Sequence, residues 1–188
     1  SERGLSFKLA SIRADIPKDR VLRAQRAGEL TPLGAFPAAS EADIQESPYI
    51  VAQMDEAPMV AALEGGADVV IAGRACDTAI YTTVAMMRGH GRGLATHMAK
   101  IIECASLCCD PGGRDSMLAT LDTEGFTLDC MNPDRHATPT SVAAHALYEQ
   151  GDPFTVREPS GELDLSKAIY TALDEHRVRV SGASWRDI

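Results

Sequence analysis

The turn after the apolar run ADVVIA carries the residues whose types and order best suit chemistry. It has the sequence GRACDT at 73–78 and stands before a stretch with helical character. Gly73 would allow a tight turn, Arg74 could hold a carboxylate or phosphate by two parallel hydrogen bonds, and the helix start would offer N–H groups to an anion. We predict Gly73, Arg74 and Thr78 as substrate-binding residues and Asp77 as a catalytic proton carrier. The alternative is structural: Asp77 or Thr78 caps the helix and Arg74 pairs with Asp77 or another acid.

A second candidate group stands directly before Pro139, a residue that suits the first helical position. Thr138 is a natural N-cap, and an anion on that helix end would have Arg135 beside it. Histidine is a residue type that transfers protons near neutral pH, which makes His136 a candidate proton carrier. We predict Arg135 and Thr138 as substrate-binding and His136 as catalytic, against the alternative of an ordinary capped helix behind a surface loop. His145 lies among apolar residues and is expected to be a hydrogen-bonded core residue.

The helical stretch 94–109 contains a third set of reactive types: His97, Glu103, Cys104, Cys108 and Cys109. A metal site is not indicated, because His97 and Cys104 would lie about 10 Å apart along a helix. That separation is too large for one ion with ligand bonds of about 2.0–2.3 Å. Cys104 and Cys108 lie one turn apart, but further ligands are not identified, and free cysteine behaves as a small hydrophobe in cores. Glu103 remains a candidate general base that reaches a pocket from this helix.

The common nucleotide-binding and hydrolase motifs are missing from this sequence. It contains neither GxxxxGK nor GxGxxG, so ATP and classical dinucleotide binding lack support. A GxSxG nucleophile elbow is also missing, which leaves a hydrolase triad unsupported. The cofactor is therefore unknown, no metal ligand is predicted, and a CoA ester stays open as a substrate.

The elements that must position these residues form a mixed α/β pattern. The β-branched run at 67–72 is bounded by glycines and predicts a buried parallel strand with both faces covered by helices. A helix to about Met87 follows, so the strand, turn and helix make a βα unit. Ahead of it we predict a strand within 5–14, a helix from Pro17 to Ala27, and a loop at 30–40.

The segment between that loop and the strand predicts short helices. Ser40 and Asp43 resemble a capping pair. The apolar positions from Ile50 to Leu63 fall roughly at helical spacing, with Pro58 separating two helices.

The C-terminal third has a more α+β character, with a possible boundary near 110–115. Residues 117–121 and 126–130 predict two strands joined by a hairpin-type turn. A helix should follow from Thr138-Pro139 through Glu149, and 154–157 and 177–181 are short strand candidates.

Composition excludes several classes of function. The 188 residues are 45% hydrophobic and 24% charged, which is ordinary globular composition, and the formal net charge is −9. The cations are scattered, so nucleic-acid binding is not expected. No apolar run approaches the roughly 20 residues of a membrane helix, and no membrane association is expected. Five cysteines, an odd number, predict free thiols in a reducing cytoplasm.

Several stretches together carry a family likeness. They are GLSFKLASIRADIPKD at 4–19, ALEGGADVVIAGRACDTAIY at 62–81, ATPTSVAAHALYEQGDPF at 137–154 and GELDLSKAIYTALDEHRVRVSGASW at 161–185. The chain resembles the acyclic terpene utilisation (AtuA-like) family, most sharply where the strand is followed by GR and then DTA. The resemblance implies that residues 1–188 form one domain, the middle portion of a longer protein.

The resemblance also implies a place in bacterial catabolism of branched or terpenoid organic acids or their CoA esters. Two hypotheses follow. The first is an enzyme, of hydratase or lyase type, in which Arg74 orients a small anionic acid or acyl-CoA and Asp77, Glu103 or His136 moves a proton. The second is a non-catalytic binding or scaffold subunit, motivated by the incomplete catalytic motifs. A homo-oligomer is expected if a sheet edge stays open.

Overall fold

The computed structural model describes residues 4–147 and 151–188. Within them the chain forms six α-helices, one 3₁₀ helix and nine strands in three sheets, which confirms the mixed α/β class. The strands are β1 Leu9–Ile12, β2 Val69–Ala72, β3 Met117–Leu121, β4 Gly125–Cys130, β5 Thr155–Glu158, β6 Gly161–Asp164, β7 Ile169–Ala172, β8 Arg177–Ser181 and β9 Ser184–Asp187. The helices are α1 Lys18–Arg26, α2 Glu41–Glu46, α3 Ala57–Glu64, α4 Ala79–Met87, α5 Arg92–Ile102 and α6 Pro139–Ala146, with the 3₁₀ helix at Ala105–Cys108.

The first two strands form a small parallel sheet in which Leu9 lies opposite Val69 and Ile12 opposite Ala72. Helix α3 contacts both strands. The prediction that helices cover both faces of β2 is wrong, because Val69 keeps 39% and Ile71 59% of its surface exposed. The β-branched run therefore reflects strand propensity and not burial on both faces.

The segment between α1 and α3 confirms one prediction and corrects another. Ser40 and Asp43 form a full capping box at the start of α2. The predicted helix from Ile50 is absent, because this stretch is extended and pairs with the chain after β1. Its Ala52 N–H donates to the Ala14 carbonyl at 2.8 Å. Hydrogen bonds to a distant segment thus outweigh helical spacing of the apolar residues.

Helix α5 is the centre of the molecule, since it contacts α4, α6 and strands of both antiparallel sheets. The expected single helix over 94–109 ends early at Ile102. Ala105 then adopts a left-handed φ of 51°, and the chain continues as the 3₁₀ helix. The N–H of Ser106 donates to the Asp115 carbonyl instead of a helical partner, which ties this turn to the loop that follows.

The main core lies between α5, α6 and a four-stranded antiparallel sheet of order β3-β4-β8-β7. The predicted hairpin is confirmed, with Met117 opposite Cys130 and Leu121 opposite Phe126. The inward side chains Phe126, Leu128, Val178 and Val180 are fully buried.

The second antiparallel sheet has three strands in the order β5-β6-β9 and a small core around Leu163. The predicted strand at 154–157 is confirmed as β5, and 177–181 as β8. Arg92 of α5 ties this sheet to the helices. Its guanidinium bonds Ser160 Oγ at 2.7 Å, pairs with Glu56, and lies 5.0 Å from the Trp185 ring centroid.

Candidate functional site

A pocket of about 490 Å³ lies beside β2, between α3 and α4. Its walls are largely apolar and include Met59, Leu63, Val70, Ile80 and Val84. The turn at 73–77 supplies most of the remaining lining. The pocket thus lies next to the carboxyl end of a parallel strand, where open α/β sheets bind ligands.

Gly73 ends β2 at a point of very close packing. Its N–H donates to the Ile12 carbonyl at 2.8 Å. A Cβ at Gly73 would lie 2.7 Å from Ala14 Cβ and 2.9 Å from Ala14 N. The close approach of Ala14, in the chain after β1, therefore explains why this position has no side chain, although Gly73 also lines the pocket.

Arg74 and Asp77 line the same pocket and are both exposed. Neither side chain makes a hydrogen bond or ion pair with another residue in 4–147 or 151–188. The alternative in which Arg74 pairs with Asp77 is wrong for these described residues. A guanidinium and a carboxylate at a hollow therefore keep their hydrogen-bonding capacity for a ligand.

The start of α4 differs from both expectations for it. Thr78 is buried and does not cap the helix, and its hydroxyl instead donates to Glu158 Oε2 at 3.2 Å. The Ala79 N–H donates to the Cys76 carbonyl, and the Tyr81 N–H to the Thr78 carbonyl. Carbonyls of the turn thus accept hydrogen bonds from N–H groups that we expected to bind an anion.

Behind this turn lies a partly buried polar cluster that we name the Cys76 cluster, made of Cys76, Thr78, Lys100, Glu103 and Glu158. The Cys76 thiol donates to Glu158 Oε2 at 2.7 Å. Lys100 Nζ donates to Glu103 Oε1 at 2.8 Å, and both side chains are largely buried. Cys76 also lines the pocket, so the cluster and the pocket share a wall.

Charges in this cluster shift one another's proton affinity. Burial raises the pKa of Cys76 to about 11, and the bond to the Glu158 carboxylate adds to the effect. Burial also raises the pKa of Glu103; Lys100 opposes this, while the charges of Asp77 and Glu158 add to it. Burial acts to lower the pKa of Lys100, but its bond to Glu103 and the nearby negative charges raise it overall. The predicted residues Asp77 and Glu103 thus lie within electrostatic reach of each other, and Thr78 joins the cluster through its hydrogen bond to Glu158.

The second predicted group lies elsewhere, at the loop before β3. Arg135 pairs with Asp115 and donates to the carbonyls of Pro111 at 2.7 Å and Gly112 at 2.8 Å. Its hydrogen-bonding capacity is therefore largely used within this loop. A Cβ at Gly113 would overlap the guanidinium, which shows how closely the loop encloses it.

His136 stacks on His176 with 4.8 Å between ring centroids. Its Nδ1 lies 3.0 Å from the Glu175 carbonyl, so Nδ1–H donates there. Thr138 is confirmed as the N-cap of α6, in a capping box with Ser141. No hydrogen bond or ring contact joins these residues to Arg74 or the Cys76 cluster within the described chain. A hollow of about 330 Å³ beside His176 is open, and its Asp174 and Arg177 pair with each other.

The remaining reactive residues belong to the main core. His97 is fully buried and packs edge-on against Phe126 and Tyr170, with Nε2 3.2 Å from the Tyr170 hydroxyl. Burial lowers the pKa of His97 to about 4. Cys109 and Cys130 are buried with their sulfurs 3.0 Å apart. Among residues 4–147 and 151–188, no three His, Cys, Asp or Glu side chains are arranged to hold a metal ion.

The comparison with protein families decides the relationship. A model described as acyclic terpene utilisation family protein AtuA matches residues 1–128. The chain belongs to this family. The AtuA match covers the turn at 73–78 and Glu103, and ends before Arg135 and His136. No curated protein and no solved structure matches the chain.

The roles assigned to individual residues of this AtuA family chain stay predictions. Sequence reasoning missed Lys100 and Glu158, which complete the Cys76 cluster. Lys100 stands three residues before Glu103 on a helix, a spacing that indicates an ion pair. Glu158 is 82 residues from Cys76, and nothing in the sequence signals that contact. None of the helices in the described chain has the length and apolarity that crossing a membrane requires.

Proposed function

We propose that this chain is an enzyme of bacterial catabolism that binds a branched organic acid or its CoA ester in the pocket beside β2. Membership of the AtuA family links the chain to acyclic terpene utilisation. The reaction that we propose is an addition or elimination of hydratase or lyase type. The observation that carries the proposal is Arg74, which lines a largely apolar pocket and has no ion pair among the described residues.

The pocket matches the two chemical parts of such a substrate. Side chains such as Met59, Leu63 and Val84 provide an apolar surface for a branched hydrocarbon. The Arg74 guanidinium can bind a carboxylate or a CoA phosphate with two parallel hydrogen bonds. A volume of about 490 Å³ falls in the range of small-molecule sites.

Asp77 and Glu103 are the groups that we assign to proton movement. Asp77 lines the pocket, and its charge raises the pKa of Glu103, so the two carboxyls lie within electrostatic reach. The raised pKa of the Glu103 carboxyl lies closer to neutral pH, where a general acid or base works most efficiently. His136 is not part of this proposal, because its contacts lie at the loop before β3.

Isothermal titration calorimetry with citronellic acid, an acyclic branched carboxylate, tests the binding step. We expect Arg74→Ala to weaken binding about 10- to 100-fold, since a hydrogen bond to a charged group contributes about 1.5–3 kcal/mol. Arg20→Ala is the matched control, because Arg20 is an exposed arginine of α1 outside the pocket. Citronellol lacks the carboxylate, so its affinity should not respond to Arg74→Ala.

Equal affinity of wild type and Arg74→Ala for citronellic acid and for isovaleryl-CoA would contradict the proposal. A second candidate, a binding or scaffold subunit, is favoured by the exposed apolar face of Leu9, Val69 and Ile71. Contiguous exposed apolar surface marks interaction sites. Absence of heat with every probe, together with a concentration-dependent dimer in light scattering, would favour that candidate.

A further inference from the structure

Cys76 and Glu158 form a hydrogen-bonded pair at the wall of the pocket. Glu158 Oε2 accepts a hydrogen bond from the Cys76 thiol at 2.7 Å and another from the Thr78 hydroxyl at 3.2 Å. Glu158 ends β5, and the turn after it is held to α5 by the bond between Arg92 and Ser160 Oγ. The carboxylate is therefore brought to the pocket wall by a sheet far along the chain.

An addition of water to a carbon–carbon double bond needs two proton transfers. One group takes a proton from the attacking water, and another gives a proton to the α-carbon. Asp77 and Glu103 supply carboxyls for the first transfer. The second requires a proton donor that lies on the pocket wall, and Cys76 is the residue that both lines the pocket and holds a dissociable proton in a hydrogen bond.

We propose that Cys76 is the carbon-directed acid of this site and that Glu158 positions and reprotonates it. The inference rests on the proposed function, because it places an α,β-unsaturated acyl thioester in the same pocket. The base takes a proton from water, the hydroxyl adds to the β-carbon, and the enolate electron pair forms a C–H bond with the thiol proton. The S–H electron pair stays on sulfur, and the proton held by the base returns to sulfur through Glu158.

The electrostatics of the pair suit a donor better than a nucleophile. Burial and the neighbouring carboxylate raise the pKa of Cys76 to about 11, so the sulfur keeps its proton at neutral pH. A cysteine nucleophile instead needs a thiolate in electropositive surroundings. A thiolate beside the Glu158 carboxylate would be disfavoured, which drives reprotonation after each transfer.

An independent observation indicates that a ligand or water belongs in this cluster. The Glu103 side chain keeps only 9% of its surface exposed. Its Oε1 is bonded to Lys100, whereas its buried Oε2 has no hydrogen-bond partner among the described residues. A buried carboxylate oxygen without a partner is costly unless a bound molecule completes its hydrogen bonds.

Alkylation by iodoacetamide, followed by peptide mass spectrometry, tests the pair without requiring turnover. Glu158→Gln removes the charge beside the thiol, so Cys76 should react about three- to tenfold faster at pH 8 as its thiolate fraction rises. Cys104 in the same sample is the internal control, and its rate should not change. Saturating isovaleryl-CoA should slow alkylation of wild-type Cys76 at least about tenfold, because a bound acyl group covers the pocket wall. An unchanged Cys76 rate in Glu158→Gln would overturn the pairing.

Hydration of 3-methylcrotonyl-CoA, an α,β-unsaturated acyl thioester, in D₂O tests the proton transfer. The wild type should introduce deuterium at the α-carbon of the product, and Cys76→Ala should slow this hydration at least about tenfold, while its calorimetric affinity for isovaleryl-CoA, which has no double bond, stays within about threefold. Binding of isovaleryl-CoA without hydration of 3-methylcrotonyl-CoA by the wild type, or equal hydration by Cys76→Ala, would overturn the role of Cys76 and leave the proposed binding function standing. Absence of binding to the wild type would overturn both.

Discussion

The four-stranded sheet and the β1–β2 sheet are built from similar β-branched residues and end in opposite environments. Val178 and Val180 of the four-stranded sheet are fully buried beneath α5 and α6. Val69 and Ile71 of β2 point to the exposed face of a sheet with only two strands. The larger sheet encloses a core, whereas the smaller one has a pocket on one side and an apolar surface on the other.

This difference separates the region that stabilises the fold from the region that forms the candidate site. The enclosed half supplies the free energy of folding, because apolar surface removed from water is the dominant stabilising contribution. The open half leaves Arg74 and Asp77 exposed at the pocket, and functional segments are commonly drawn from such less buried regions. Helix α5 connects the two, since it packs on the main core and carries Glu103 at its end.

The largest expected effect contrasts one side chain from each sheet. Phe126→Ala should lower the free energy of unfolding by about 3–5 kcal/mol, because it leaves a cavity in the enclosed core. Ile71→Ala should change it by only about 0.5 kcal/mol, since the side chain is already mostly in water. Urea denaturation of both variants measures the contrast. A similar cost for the two would mean that a second copy covers the β2 face in solution.

The pH dependence of stability tests how fully the main core encloses His97. Burial depresses the pKa of His97 to about 4 from an ordinary 6.5, so the unfolded chain takes up the proton first as pH falls. The contribution of neutral His97 to the free energy of unfolding is therefore fully present above about pH 6.5. It is lost as the pH falls from about 6.5 to 4, by about 3 kcal/mol in all. His97→Gln should flatten this part of the profile.

The comparison between wild type and His97→Gln isolates this group, because other titrations are shared by both proteins. Tyr170, the hydrogen-bond partner, has its pKa raised to about 12 by burial and stays neutral across the window. Parallel stability profiles from pH 7 to pH 4 would show that His97 takes up its proton without unfolding, and so is less enclosed than the structure indicates.

The sequence could predict elements whose signals are local. The hairpin of β3 and β4 follows from two strand patterns around a turn, and the caps at Ser40 and Thr138 follow from their side chains. Strands β6, β7 and β9 were not predicted, and the sequences of β6 and β9, GELD and SWRD, are rich in polar residues. The latter two are strands because they pair with each other, and β6 also pairs with β5.

The candidate site divides in the same way between local and distant signals. The turn at 73–78 was recognisable, because glycine, arginine and a helix start follow a strand within six residues. The separation of Arg135 and His136 from that turn depends on the packing of the loop before β3, which no local pattern encodes. The burial of Lys100 and the arrival of Glu158 likewise depend on how α5 packs against the three-stranded sheet.

The smallest of the three effects concerns Gly73, at the carboxyl end of β2, where the β1–β2 sheet is tightly packed against the chain after β1. Gly73→Ala would place a Cβ 2.7 Å from Ala14 Cβ, so we expect a loss of about 1–3 kcal/mol in unfolding free energy. Adding Ala14→Gly should restore part of it, because one contact is removed while that to the Ala14 nitrogen remains. Gly91→Ala is the control, since nothing lies within 4 Å of its added Cβ. If Gly73→Ala and Gly91→Ala unfold alike, the carboxyl edge of β2 is as loosely packed as its exposed face, and the rigid placement of Arg74 fails with it.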